Sequence, residues 1–507
     1  MRYTSRAMHQ SALIRTGSAL ISAAALAALL NTRTDAAGVL APTVTGPIAS
    51  AAVGDASHDY PFFAAIVDLK ARGWVEEEFF LEGTANRYTI QGQETAAVRD
   101  SGHPYKTRLL VRRPASASAF NGTVVVEWNN VTAGRDLDID WFQSYDHFIR
   151  SGYAWVGVTP QRVGVEALKV WNAKRYGTLD VTHGGAVPND DLSYDVFAQA
   201  AQAIRAPGRI NVLGGLKPAR IFATGHSQSA GRLANYVNGV HPIASVFDAV
   251  VVHGGGGRIR TDLTIPVFKL LAETDVLGQQ AANRQPDTSK YRSWEVAGSS
   301  HVDVQFRESS SKLAARDGSP SAPPLPAEAP ENARGRSNAP PNVPTTGRGL
   351  TTGRGLASGN AGGCERPPYS HVPFHHVMNA AFEHLVRWVK DGVLPPVAPP
   401  IETTAVGPPA VAARDEMGNA LGGIRLAEHA VPTATNTGLN TGAGFCRLYG
   451  SHEPFDQATV ASLYPTHAGY VAAVHDVTER NVKAGFVLRV DADQTIAAAE
   501  RSDIGRN

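Results

Sequence analysis

The sequence predicts an α/β fold, a mostly parallel central sheet with helices on both faces and helical additions toward the C-terminus. Three observations carry this expectation. Short, wholly apolar, β-branched runs recur, such as Thr123-Val124-Val125-Val126-Glu127-Trp128 and Ala249-Val250-Val251-Val252-His253. Between them lie stretches with helical spacing, such as Val196, Phe197, Ala200 and Ile204. One strand, Ile221 to Ala223, also runs almost directly into a helix, with Gly225-His226-Ser227-Gln228 as the turn.

At 507 residues the chain can bury a full core. Lys plus Arg (47) balance Asp plus Glu (46), which argues against a nucleic-acid or anionic-membrane partner. The first 37 residues have the layout of an export signal. Arg2, Arg6 and Arg15 precede an apolar run from Ala19 to Leu30, and small residues follow at Ala36, Ala37 and Gly38. The run is too short to span a bilayer comfortably, and no other stretch qualifies. A secreted or periplasmic protein, without a membrane span once the signal is removed, is expected.

Residues 38–58 read as a small-residue linker, and 59–507 as one domain. Strands are expected from Gly73 to Gly83 and from Tyr105 to Arg113, the latter stopped by Pro114. The triplet Glu76-Glu77-Glu78 fits alternate faces of a solvated edge strand. After the buried strand at 123–128, a helix is expected from about Asp140 to Ser151, then a strand from Tyr153 to Thr159. Residues 160–192 read as an irregular lid or pocket wall, followed by a helix from Tyr194 to Ala206. Beyond the central turn come strands at Ala249–His253, Val267–Leu271 and Ser293–Ala297. Residues 308–363 are rich in Pro, Gly, Ser and Ala and repeat Thr-Thr-Gly-Arg-Gly-Leu at 345–350 and 351–356. So little apolar content cannot offset ordering entropy, and a loosely packed insertion is expected. A helix resumes near Val377, and two or three more fill the last hundred residues.

The central turn is one residue type from the G-x-S-x-G nucleophile elbow, with Ser229 in the last glycine's place. A serine nucleophile needs a base, an acid to orient it, and donors for the oxyanion. In such a sheet the order is Ser, acid, His. Ser227 is the candidate nucleophile. Asp275, beyond the 267–271 strand, is the favoured acid, with Glu273 the alternative. His301, behind Gly298-Ser299-Ser300, is the candidate base. The N–H of Gln228 is the first oxyanion donor, and the second is expected from Asn129, Asn130 or Val131. His253-Gly254-Gly255-Gly256-Gly257 resembles an oxyanion loop but follows the nucleophile, so it reads as a flexible pocket edge.

Metal readings fare worse. Asp136, Asp138 and Asp140 begin like a calcium loop, but Trp141 and His147 stand where glycine and glutamate are required. Cys364, His371, His375 and His376 are interrupted by Pro373 and have no second cysteine nearby, so a structural cluster is expected. No cofactor is called for. Cys364 and Cys446 are the only cysteines. In an exported protein they read as a disulfide, with two free buried thiols as the alternative.

With these residues in place, the chain resembles a bacterial family of secreted or periplasmic α/β-hydrolase-domain proteins. The likeness rests on Gly73-Trp74-Val75-Glu76-Glu77-Glu78, Val126-Glu127-Trp128-Asn129-Asn130-Val131 and Gly152-Tyr153-Ala154-Trp155-Val156-Gly157-Val158. It continues in the Gly225-His226-Ser227-Gln228-Ser229 elbow, Trp388-Val389-Lys390-Asp391-Gly392 and Leu463-Tyr464-Pro465-Thr466-His467. The resemblance implies the hydrolase fold, Ser227, an acid at Asp275 or Glu273, and His301. It implies no substrate. The expected activity is serine esterase chemistry on a small or polymeric carboxylic ester. Amidase, lactonase or polyester depolymerase chemistry with the same triad is the alternative, as is a non-catalytic binding module on the same scaffold.

Overall fold

A computed structural model describes residues 38–318 and 363–506. The expected signal and most of the expected insertion lie outside these residues. Nine strands form one sheet: β1 (Thr43–Thr45), β2 (Trp74–Thr89), β3 (Ala97–Pro114), β4 (Thr123–Trp128), β5 (Ala154–Val158), β6 (Arg220–His226), β7 (Ala249–His253), β8 (Val267–Ala272) and β9 (Tyr291–Val296). Their order is β1-β2-β3-β5-β4-β6-β7-β8-β9. The strands from β5 through β9 in that order pair in parallel, while β1, β2 and β3 are antiparallel.

Strand alternation builds a core on each face. Val124, Val126, Ile221 and Ala223 point to one side, under the Ser193–Arg205 helix, while Val125 and Phe222 point to the other. That second side is covered by the Ile139–Arg150 and Phe374–Asp391 helices through Phe148, Phe382 and Leu385. Each such fully buried side chain contributes roughly 1.5–3 kcal/mol. Two long helices, His467–Ala484 and Arg489–Arg501, close the C-terminal region. No helix among the described residues is long and apolar enough to cross a membrane.

Several local expectations change. The 38–58 stretch is not a free linker, because Thr43–Thr45 adds an edge strand against Phe80–Glu82. Glu76, Glu77 and Glu78 therefore do not line a solvated edge. They meet Arg112, Arg113 and Arg108, all on β3, and Glu78 is fully buried between Arg108 and Arg175. The 160–192 region holds two helices, Arg162–Trp171 and Ala173–Tyr176, anchored by buried Val165, Leu168 and Tyr176. The start of the expected insertion belongs to the Val304–Asp317 helix. The later helix begins at Phe374, directly after Pro373 at its N-cap. Cys364 and Cys446 form a disulfide.

Candidate active site

β6 ends at His226 and a helix begins at Gln228, which leaves Ser227 alone in the turn. Its φ of 61° and ψ of −115° lie outside the favoured regions for a side-chain-bearing residue. Such strain costs about 1–3 kcal/mol and is held by the surroundings. The Ser227 N–H donates to His253 O at 2.9 Å, and its carbonyl accepts from Gly231 at 3.1 Å. A side chain at Gly225 would press on the Ser229 backbone at 3.2 Å, so a larger residue there would push that backbone aside by a few tenths of an ångström. The missing last glycine is explained by the serine itself, because buried Ser229 Oγ donates to His226 O at 2.9 Å.

The side chains expected to act together do meet. Ser227 Oγ lies 2.8 Å from His301 Nε2, and His301 Nδ1 lies 2.6 Å from Asp275 Oδ1. A carboxylate only accepts, so Asp275 places the imidazole proton on Nδ1 and leaves Nε2 to take the serine proton. Asp275 sits in a short helix, Glu273–Gly278, where its other oxygen accepts the Ala272 N–H at 2.7 Å. Glu273 is not beside His301 Nδ1. It is fully buried, accepting from Arg414 at 2.7 Å and from the Gly298 N–H at 2.7 Å. It thereby ties down the loop that carries the histidine. Thr274 Oγ1 accepts the His301 N–H at 3.2 Å and fixes the same loop.

The oxyanion expectation needs a correction. The Asn129 N–H donates to Val158 O at 3.2 Å, and the Asn130 N–H to Leu137 O at 3.0 Å. Both are spent on strand-end pairing and cannot serve. The N–H groups of Gln228 and Val131 have no acceptor among the described residues. Asn130 acts through its side chain instead. Its Nδ2 donates to His226 O at 2.9 Å and its Oδ1 accepts from the Thr132 N–H at 2.8 Å, which holds the Val131 turn against the elbow.

Beneath the site lies a histidine column that the sequence reading missed. The His226 ring is 4.3 Å from that of His301 and 4.3 Å from that of His253. Burial holds the His226 imidazole well below its ordinary pKa, and the neighbouring His301 and His253 add to this. His253 Nδ1 pairs with Asp140 Oδ1 at 2.6 Å, and its ring stacks on Phe374 at 4.9 Å. Thr224 Oγ1 also donates to Asp140. Some 113 positions separate Asp140 from His253, so no local pattern announces the pair. Gly254 and Gly256, after His253, are packed rather than part of a loose edge, while Gly257 is exposed. A side chain on Gly254 would come within 2.8 Å of the His226 ring, and the Gly256 and Gly257 carbonyls accept from Lys269.

Most of the candidate metal residues are engaged with other groups. Asp136 accepts from Asn129 and Thr159, Asp138 pairs with Arg112, and Asp140 with His253. Cys364 is in the disulfide, His371 stacks on His452 at 3.7 Å, and His375 and His376 head the Phe374–Asp391 helix.

A family model described as an alpha/beta hydrolase domain matches residues 44–497. A solved glucuronoyl esterase from Solibacter usitatus is similar at 10% identity over 48% of this chain and 82% of its own, with a TM-score of 0.25. An α/β serine hydrolase without lid from Xanthomonas campestris is similar at 12% identity over 46% of this chain and 91% of its own, with a TM-score of 0.26. A rice-cell-wall-degrading esterase from Xanthomonas oryzae is similar at 10% identity over 41% and 46%, with a TM-score of 0.21. No curated protein matches the chain.

Proposed function

Because this chain belongs to the alpha/beta hydrolase domain family, we propose that it is a serine esterase that cleaves carboxylic esters through an acyl-enzyme. His301 takes the Ser227 proton as Oγ attacks the ester carbonyl. Asp275 orients the imidazole and stabilises its charged form, while the N–H groups of Gln228 and Val131 receive the oxyanion. The protonated His301 then gives its proton to the leaving alcohol. Water, activated by the same histidine, releases the acid and restores Ser227. The reading is carried by one observation, the unbroken path from Ser227 Oγ through both nitrogens of His301 to Asp275, at 2.8 and 2.6 Å.

Export is part of the same proposal. The Cys364–Cys446 disulfide fits an oxidising compartment, and so a secreted or periplasmic enzyme.

The test is fluorophosphonate labelling followed by p-nitrophenyl ester hydrolysis. The native protein should label at Ser227, and Ser227→Ala should lose both label and turnover while keeping its thermal midpoint. A non-catalytic binding module would not label, and a Ser227→Ala protein that keeps most of its turnover would sink the assignment.

A further inference from the structure

The loop that carries His301 is held from within by Glu273 and Thr274, and from without by two segments that are joined through sulfur. Gly298 O accepts from Ser370 Oγ at 2.6 Å, and Ser300 Oγ accepts the Ser370 N–H at 3.3 Å. On the other side of the histidine, the Val302 N–H donates to Leu448 O at 2.9 Å. Ser370 ends a strip that runs from Cys364, and Leu448 lies in the Cys446–Tyr449 helix. The Cys364–Cys446 disulfide ties the far end of that strip to the first residue of that helix. Residues on both sides of His301 thus lean on the two arms of one crosslink.

Neither arm is a self-supporting element. A helix of four residues is far too short to persist alone in water. The strip runs along its neighbours through isolated pairings, Cys364 with Gly442 and Pro368 with Ser451, rather than a continuous ladder. Where the arms converge, Tyr369 takes a left-handed φ of 72°, which is unfavourable for a residue with a side chain. Its ring is buried 4.7 Å from that of Tyr449, and its N–H donates to Tyr449 O at 3.0 Å. Such a conformation persists only where the surroundings impose it. The covalent tie adds the constraint that these short pieces lack.

We propose that the Cys364–Cys446 disulfide positions the base: it keeps both arms against residues 298–302, and so keeps His301 within reach of Ser227 and Asp275. Full turnover then requires the oxidised pair, and the enzyme is set for work only where thiols are oxidised. The inference rests on the serine-esterase reading for its catalytic consequence, and its test includes a readout that needs no turnover.

That test is the double variant Cys364→Ala/Cys446→Ala, studied well below its thermal midpoint. Hydrogen–deuterium exchange at the His301 and Val302 amides should quicken by at least about tenfold. On a p-nitrophenyl ester kcat should fall by about tenfold or more, with KM within about twofold of native. A lower thermal midpoint with native kcat and native exchange in the loop would make the disulfide a staple of the fold alone and overturns the inference. Ser370→Ala, which keeps the disulfide but frees Gly298 O, is the second variant and decides the matter if the first does not fold. It should loosen the same loop and lower kcat in the same direction, and a native loop with native kcat overturns the inference. If the native protein neither labels with fluorophosphonate nor turns over, the esterase reading falls, and loop exchange in the two variants alone decides whether the crosslink holds His301.

Discussion

The imidazole of His226 lies face-near under that of His301, with ring centroids 4.3 Å apart and planes tilted by 35°. One ring sits at the end of β6 and the other on the loop after β9, so the neighbour in sequence of the proposed nucleophile is also the floor of the proposed base. Because burial disfavours a charge on His226, its ring can support His301 without repelling the charged form that the proposed mechanism requires. His226→Leu should leave Ser227 in its turn but let the base tilt, lowering kcat by about 10²-fold, a loss typical of an ångström-scale misplacement. Steady-state kinetics on a p-nitrophenyl ester, beside a thermal melt, checks this, and an unchanged kcat refutes the platform role.

Asp275 and Glu273 are separated by one residue yet predict different losses. Asp275→Asn should cut kcat by about 10³–10⁴-fold with little change in fold, since the imidazole loses its orienting acceptor. Glu273→Gln leaves Arg414 without its anion in a buried setting and should cost about 2–4 kcal/mol of stability. Urea unfolding and kcat measured on both variants separate the roles, and a reversed pattern would exchange them.

Asn130 holds the Val131 turn on the elbow through both ends of its carboxamide. Asn130→Ala should lower kcat by about 10–10²-fold through a displaced oxyanion donor, with KM within about threefold of native. A fall in kcat/KM that comes entirely from KM would argue for substrate binding instead.

Glu428 offers a pH test away from the site. Burial pushes its carboxyl up to about 7, and Oε2 has no hydrogen-bond partner among the described residues. A carboxyl raised in the folded state binds more protons there than in the unfolded chain, so its contribution to stability is lost as pH rises toward 7 and beyond. Glu428→Gln should therefore stabilise the protein at pH 8 by about 1–3 kcal/mol, with the gain vanishing below about pH 4.5. Urea midpoints at both pH values measure it, and an equal effect at each would refute the linkage.

Much of the fold was legible because it depends on local pattern. Runs such as Val124 to Val126 and Ile221 to Ala223 read as buried strands, and Gly225, Ser227 and Ser229 mark a tight turn. The order of Ser227, Asp275 and His301 was readable for the same reason, since each follows a recognisable strand. Charged groups were misread because sequence does not reveal their partners. Glu76 to Glu78 looked solvated until β3 set arginines beside them, and 160–192 looked irregular although Val165, Leu168 and Tyr176 bury two short helices.

By itself, then, the sequence determined the parallel sheet, the elbow and the candidate triad, because backbone sterics and side-chain periodicity act over a few residues. Only the tertiary structure decided that Asp275 rather than Glu273 reaches His301, that Asn129 and Asn130 spend their N–H groups, and that His253 meets Asp140. These choices turn on which of several equally suitable groups arrives within 3 Å of another, and strands far apart in the chain control that distance through sheet register and loop packing.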